Sequence, residues 1–107
     1  MSDQETAQKY ADILQDAILE IDPSINLSWK RMFGGAGYFA DGDMFAAWHR
    51  GNSIALKLPE QMCADLLQIA GARTVSRHYV EVPRAYLNNL PILAAWVSKS
   101  IAYARSL

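Results

Sequence analysis

The sequence predicts a two-layer α+β fold in which one antiparallel sheet of four to six strands carries helices, in the order α-β(3–4)-α-β(1–2)-α. Three observations lead there. The N-terminal segment repeats apolar side chains with a helical period, residues 27 to 58 switch to a period of two punctuated by turn dipeptides, and Pro59 and Pro91 each introduce a further helical stripe. Residues 1–107 are read as one domain, because a chain of this length supports one hydrophobic core.

The first helix spans residues 3 to 21. Ala7, Tyr10, Ala11, Leu14, Ala17, Ile18 and Ile21 recur at the i, i+3, i+4, i+7 spacing of one helical face. Ser2 followed by Glu5 forms a capping box, Asp3 suits the positive end of the helix dipole, and Asp22-Pro23-Ser24 stops the helix. A strand is expected over "LSWKRMF", residues 27 to 33. "AGYFA" and "DMFAAWH" then flank Asp41-Gly42, a dipeptide that accepts the φ > 0 angles of a two-residue hairpin turn. Arg50-Gly51-Asn52 makes a second tight turn into "SIALKL", with Ile54, Leu56 and Leu58 on one face and Ser53, Ala55 and Lys57 on the other.

Pro59 suits a first helical position, and "EQMCADLLQIA" places Met62, Cys63, Leu66, Ile69 and Ala70 on one side before Gly71 ends the second helix. "RTVSRHYVEV" returns to strand character until Pro83 breaks it, with His78, Val80 and Val82 alternating against Arg77, Tyr79 and Glu81. Pro91 opens a last helix to about Arg105. Its stripe is Leu93, Trp96, Val97, Ile101 and Ala104, and its other side, with Ala94, Ala95, Ala102 and Tyr103, is also apolar. Such a helix is either covered on two sides within the fold or meets another chain, and Trp96 and Tyr103 are the candidate contacts of a homodimer.

Composition excludes several function classes. The chain is 51% hydrophobic and 20% charged, which excludes disorder as the main state. It has no uninterrupted apolar segment near the roughly 20 residues of a membrane helix, and its start lacks the basic and apolar regions of a signal peptide. One cysteine gives neither an internal disulfide nor a CxxC metal pair. The expectation is a cytoplasmic protein without membrane contact. Net charge is −1, split between six acids against Lys9 in residues 1 to 22 and nine bases against five acids in the rest. That balance is far from the strongly basic one of a dedicated nucleic-acid binder.

Residues 35 to 40, Gly-Ala-Gly-Tyr-Phe-Ala, match the letters GxGxxA of a dinucleotide fingerprint. The mechanism requires a helix to start at those glycines so that its first N–H groups meet a pyrophosphate. Here they run into strand, turn and strand, and no Walker GKS or GKT follows. The expectation is a sheet turning back on itself and no cofactor. Gly34, Gly35 and Gly37 would serve bends or close backbone approach, and Phe33, Tyr38, Phe39 and Phe45 would supply core or cross-strand contacts.

The segment Met32 to Ala46, "MFGG.GYF.DG.MFA", followed by Ile-Ala-Leu-Lys-Leu and by Tyr79 to Pro83, "YVEVP", resembles the TfoX/Sxy N-terminal domain family over about residues 28 to 107. The resemblance assigns Met32, Phe33, Gly34, Gly35, Gly37, Asp41, Gly42, Met44 and Phe45 to a structural motif. It implies a two-layer α+β domain with one antiparallel sheet, in the bacterial cytoplasm, related to regulators of competence for DNA uptake. It brings no established catalytic residue. The competence regulators append a C-terminal domain of helix-hairpin-helix-like character, for which these 107 residues leave no room, and the segment Gly71 to His78 is short where relatives have space for a full hairpin.

Candidate chemistry is sparse. Cys63 sits on the apolar side of a helix, where a thiol lacks the basic partner a nucleophile needs. His49, His78 and Cys63 lie on separate elements without metal-ligand spacing, and Asp41 and Asp43 flank a turn glycine without the further carboxylates of a calcium loop. No catalytic, cofactor or metal residue is assigned. The leading expectation is a non-enzymatic regulatory or adaptor domain acting through protein contacts. The alternatives are a DNA- or RNA-binding module using Lys30, Arg31, Trp48, Arg50 and Arg77, and a small thiol enzyme using Cys63.

Overall fold

The computed structural model describes residues 2–69 and 71–107. The chain runs through helix α1 (Asp3–Ile21), strands β1 (Leu27–Met32), β2 (Gly35–Ala40), β3 (Asp43–His49) and β4 (Ile54–Lys57), helix α2 (Glu60–Leu67), strands β5 (Arg73–Ser76) and β6 (Tyr79–Glu81), a 3₁₀ turn (Arg84–Asn88) and helix α3 (Leu90–Ser106). The six strands form one antiparallel sheet in the order β1-β2-β3-β4-β6-β5. This is the α+β class and element order that the sequence predicts.

α1 forms where its local signals place it. Ser2 Oγ accepts the Glu5 N–H at 3.1 Å and the Glu5 carboxylate accepts the Ser2 N–H at 3.3 Å, so two end donors of the helix are satisfied reciprocally. After the helix, Asp22 accepts from both the N–H and the hydroxyl of Ser24, which holds its carboxyl below the usual range. The helix buries Ala7, Leu14, Ala17 and Ile18 completely. α3 is capped by Asn89, whose side chain accepts the Ile92 N–H, with Pro91 in the first turn.

The helices pack on one face of the sheet. Tyr38 of β2 donates its hydroxyl to the Ala7 carbonyl of α1 at 2.8 Å, and Ser100 of α3 donates to the Phe45 carbonyl of β3 at 2.6 Å. That second bond answers a β-bulge. Tyr38 faces Ala46 and Phe39 faces Met44, so Phe45 has no partner across the β2 ladder, and Phe45 and Ala46 both point into the core.

Three expectations are corrected. The second helix ends at Leu67, closed by a 2.9 Å bond from the Ile69 N–H to the Leu66 carbonyl; Ala70 lies outside the described residues. The stretch Arg73–Val82 takes the two-strand form of the expected β(1–2), folding back at Arg77-His78, and the segment Gly71 to His78, expected to be short for a full hairpin, does hold one. The reason is pairing. β6 bonds β4 on one edge and still has a second edge, which β5 satisfies. Finally, Phe33 is 88% exposed, at a turn instead of in the core or across a strand pair. Among the described residues no helix is long and apolar enough to cross a membrane.

Candidate functional site on the open sheet face

Strand alternation sends one set of side chains toward the helices and the other to the opposite face. Among the described residues no helix covers that second face. Register places Lys30, Gly37, Ala47, Ala55, Glu81 and Arg73 in one row across all six strands. The row is charged at both ends and almost without side chains in its middle.

Its neighbours build walls. A Cβ on Gly37 would lie 2.9 Å from the Met32 methyl and 3.1 Å from that of Met44, so the two methionines meet over the glycine. Gly35 answers a different constraint, since a Cβ there would sit 1.7 Å from the Trp48 carbonyl oxygen. Beyond Gly37, a cavity of about 320 Å³ opens over Ala47 and Ala55. Val75, Ser76 and Tyr79 bound it on the β5–β6 side, and His49, Asn52 and Ser53 on the other. Burial raises the Tyr79 phenol above its ordinary value, and its ring carries the Lys57 ammonium at 6.0 Å.

Glu81 braces this cavity from within the sheet. It is 6% exposed, and its Oε1 accepts the Ser53 N–H at 2.8 Å, pinning the turn between β3 and β4. Its Oε2 lies 3.5 Å from the Arg73 guanidinium without a hydrogen-bond partner. Ser53 is 1% exposed, and its hydroxyl is also unpartnered. Neither residue stands out in sequence; the only sign is a carboxylate and a hydroxyl at mid-sheet positions of alternating strands, which gain meaning once β6 lies beside β4.

A second feature lies at one end of the sheet. Phe33-Gly34 closes the β1–β2 hairpin with φ of 47° and 76°, both in the left-handed region. Arg31 Nε donates to the Gly35 carbonyl at 2.9 Å and the Arg50 backbone N–H to the Gly34 carbonyl at 3.3 Å, so both residues hold the backbone of this turn.

The other sequence-selected residues are scattered. Arg31 and Arg50 both reach Asp3 at the start of α1, Lys30 lies over the Phe39 ring on the open face, and Arg77 pairs with Glu60 near α2. Trp48 is 4% exposed, with its indole N–H given to the Asn52 carbonyl, so it presents no free ring face. Asp41-Gly42 closes the β2–β3 hairpin with φ of 50° and 91°, and Asp41 also accepts the Asn26 N–H and pairs with Arg105. Trp96 and Tyr103 share a face of α3; Trp96 packs half-buried on the core beneath Lys99, and the Tyr103 hydroxyl lies 3.4 Å from His78 Nδ1.

Cys63 is 6% exposed and its thiol donates to the Leu58 carbonyl at 3.4 Å. Burial, with a smaller contribution from Glu60, raises its pKa, which leaves the thiol protonated and a poor nucleophile. Among the described residues no group of three or more His, Cys, Asp or Glu side chains gathers as a metal site.

Together these features define a small α+β domain with helices on one face of its sheet, an open opposite face and an aromatic turn at one end. A family profile, the TfoX N-terminal domain, matches residues 21–104, and the chain belongs to that family. The matched span opens at the last residue of α1 and runs into α3. The family is linked to the regulation of competence and DNA transformation and is not an enzyme family. No curated protein and no solved structure matches the chain.

Proposed function

We propose that the protein is a non-enzymatic regulatory or adaptor domain that acts in the cytoplasm through protein contacts, with Phe33 as an anchor. The exposed left-handed Phe33 carries this reading. Two-residue turns of this hand favour Asn-Gly or Asp-Gly, and the next hairpin of the same sheet uses Asp41-Gly42. A phenylalanine there costs about 1–2 kcal/mol of backbone strain. At 88% exposure the ring recovers little of that from its own core. Enclosure in a partner's pocket would return roughly 2–3 kcal/mol, the value of burying a large apolar side chain. Arg31 and Arg50, which hold the turn's backbone and pair with Asp3, would supply the polar rim of such a contact.

The nucleic-acid alternative has less support. Its arginines are divided between Asp3 and Glu60, and Trp48 is enclosed. A photo-crosslinking phenylalanine analogue at position 33, expressed in the native cell, separates the readings. Discrete adducts with another protein are expected. Adducts with nucleic acid alone would replace this proposal with the alternative, and no adduct at all would remove the anchor role.

A further inference from the structure

We propose that the open face of the sheet is a docking surface for an acidic amphipathic helix of a partner protein, one whose apolar stripe is flanked by Asp and Glu. The inference rests on the adaptor reading and deepens it by naming the partner's chemistry, and it uses the sheet face instead of Phe33.

The first observation is what faces solvent. The outer side of an antiparallel sheet covered on one face is ordinarily polar. Here strand alternation and register place Met32, Phe39, Met44, Ala47, Ala55 and Tyr79 on that side, and all but Ala55 are half-buried instead of enclosed. The Met32 and Met44 methyls meet over Gly37, and methionine reshapes readily to whatever packs on it. Beside them, the cavity of about 320 Å³ over Ala47 and Ala55 is open to an apolar side chain entering from above.

The second is charge. Ala47 and Ala55 are register partners on antiparallel strands, so His49 and Lys57, each two residues further along, stand on opposite sides of that pair. Lys30 and Arg73 close the two ends of the row. The strand positions of this face thus set Lys30, Lys57, Arg73 and His49 against a single carboxylate, Glu81, which is buried and faces Arg73. Lys30 and Lys57 pair with no carboxylate among the described residues. An apolar centre inside a cationic rim is the complement of an apolar stripe between acidic flanks.

The third is size. Six strands spaced about 4.8 Å apart make a row of roughly 24 Å, the length of about 16 helical residues. Helices are also the cover that the other face already has, in α1 and α3. Other occupants fit less well. A second copy presenting the same face would oppose two cationic surfaces. Single-stranded nucleic acid stacks its bases on free rings, and here the ammonium groups of Lys30 and Lys57 already lie over Phe39 and Tyr79, at 5.5 and 6.0 Å.

The test is a titration of the full chain, followed by ¹H–¹⁵N correlation spectra, with a stapled helical peptide of about 16 residues. The probe carries Leu at i, i+3, i+4 and i+7 along its length, Glu beside that stripe and Ala elsewhere; the comparison peptides replace every Glu by Lys, or every Leu by Ala. The Leu/Glu peptide is expected to shift the amide signals of Lys30, Met44, Ala47, Ala55 and Tyr79, with both comparison peptides about tenfold weaker or more. Lys30→Glu combined with Lys57→Glu should weaken it by a similar factor, whereas Lys9→Glu on α1 should leave it unchanged, and the spectrum itself reports whether each variant is folded. No shift with the Leu/Glu peptide, equal or stronger binding of the Lys peptide, shifts confined to α1 and α3, or undiminished binding to the folded double variant would each overturn the assignment. Tighter binding of oligothymidylate at the same signals would overturn it in favour of nucleic acid. A dimer in light scattering, with these same signals moving on dilution, would overturn it in favour of a second copy. The titration reads the sheet face and the crosslink reads Phe33, so the two readings can fail separately.

Discussion

The bond from Ser100 to the Phe45 bulge offers a sharp test of how helix and sheet are joined. Ser100 is completely buried, and its hydroxyl lies 2.6 Å from a carbonyl at the residue that the β2 ladder leaves over. Ser100→Ala removes a single oxygen, so the change in packing is slight. The larger effect is a buried acceptor left without a donor, which costs about 1–3 kcal/mol. In a domain of this size each kcal/mol lowers the thermal midpoint by roughly 4–8 °C. Urea unfolding followed by tryptophan fluorescence should show a lower midpoint with an unchanged slope, since the surface exposed on unfolding is the same. Ser106→Ala is the control, because that hydroxyl bonds the Tyr103 carbonyl at an exposed site, and it should stay within about 0.5 kcal/mol. A Ser100→Ala variant as stable as this control would refute the view that the bulge depends on α3.

Gly35→Ala should destabilise by about 3 kcal/mol or more, or prevent folding, because the added Cβ would lie 1.7 Å from a backbone oxygen; circular dichroism with urea titration reads this directly. Phe33→Asn should raise stability by about 1 kcal/mol by relieving the left-handed turn, and unchanged or lower stability would contradict the strain assigned to that residue. Cys63 should react with a thiol reagent only on unfolding, since burial both shields it and keeps it protonated; prompt labelling of the native protein would contradict this. Stability should fall at alkaline pH. Burial raises Tyr38, Tyr79 and Cys63, so the unfolded chain releases these protons first as pH climbs past the ordinary values of 9.0 for the thiol and 10.0 for the phenols. Below those values the contribution is fully present; above them the folded state binds more protons and stability declines until the folded groups also titrate. Stability that is flat or rising from pH 9 to 11 would count against it.

Local signals made parts of this fold legible. α1 announces itself by a capping box and one apolar stripe, and Asp41-Gly42 is a turn whatever surrounds it. Features that depend on distant partners were not legible in the same way. Phe33 looks like a core aromatic until the pairing of Met32 with Gly35 leaves it at the turn. Arg77-His78 carries no turn dipeptide, so the fold-back between β5 and β6 follows only from the edge that β6 presents. Cross-strand register also governs the open-face site. Ala55, Glu81 and Arg73 are far apart in the chain, and the row they form appears only once β6 is inserted beside β4. Trp48 shows the converse: its place among basic residues in sequence suggested a stacking surface, while strand alternation turned it toward Tyr10 and the core.

The sheet is open, so β1 and β5 leave two margins where a foreign strand could add and start fibril growth. Both margins carry deterrents. β5 is four residues long, begins with an arginine and is kinked between Thr74 and Ser76, which spoils a continuous row of amides for any incoming chain. β1 places Lys30 and Arg31 at its centre, so stacking copies side by side would bring like charges together. By this reasoning the same margins that make the sheet easy to reach also disfavour edge-to-edge polymerisation of its copies.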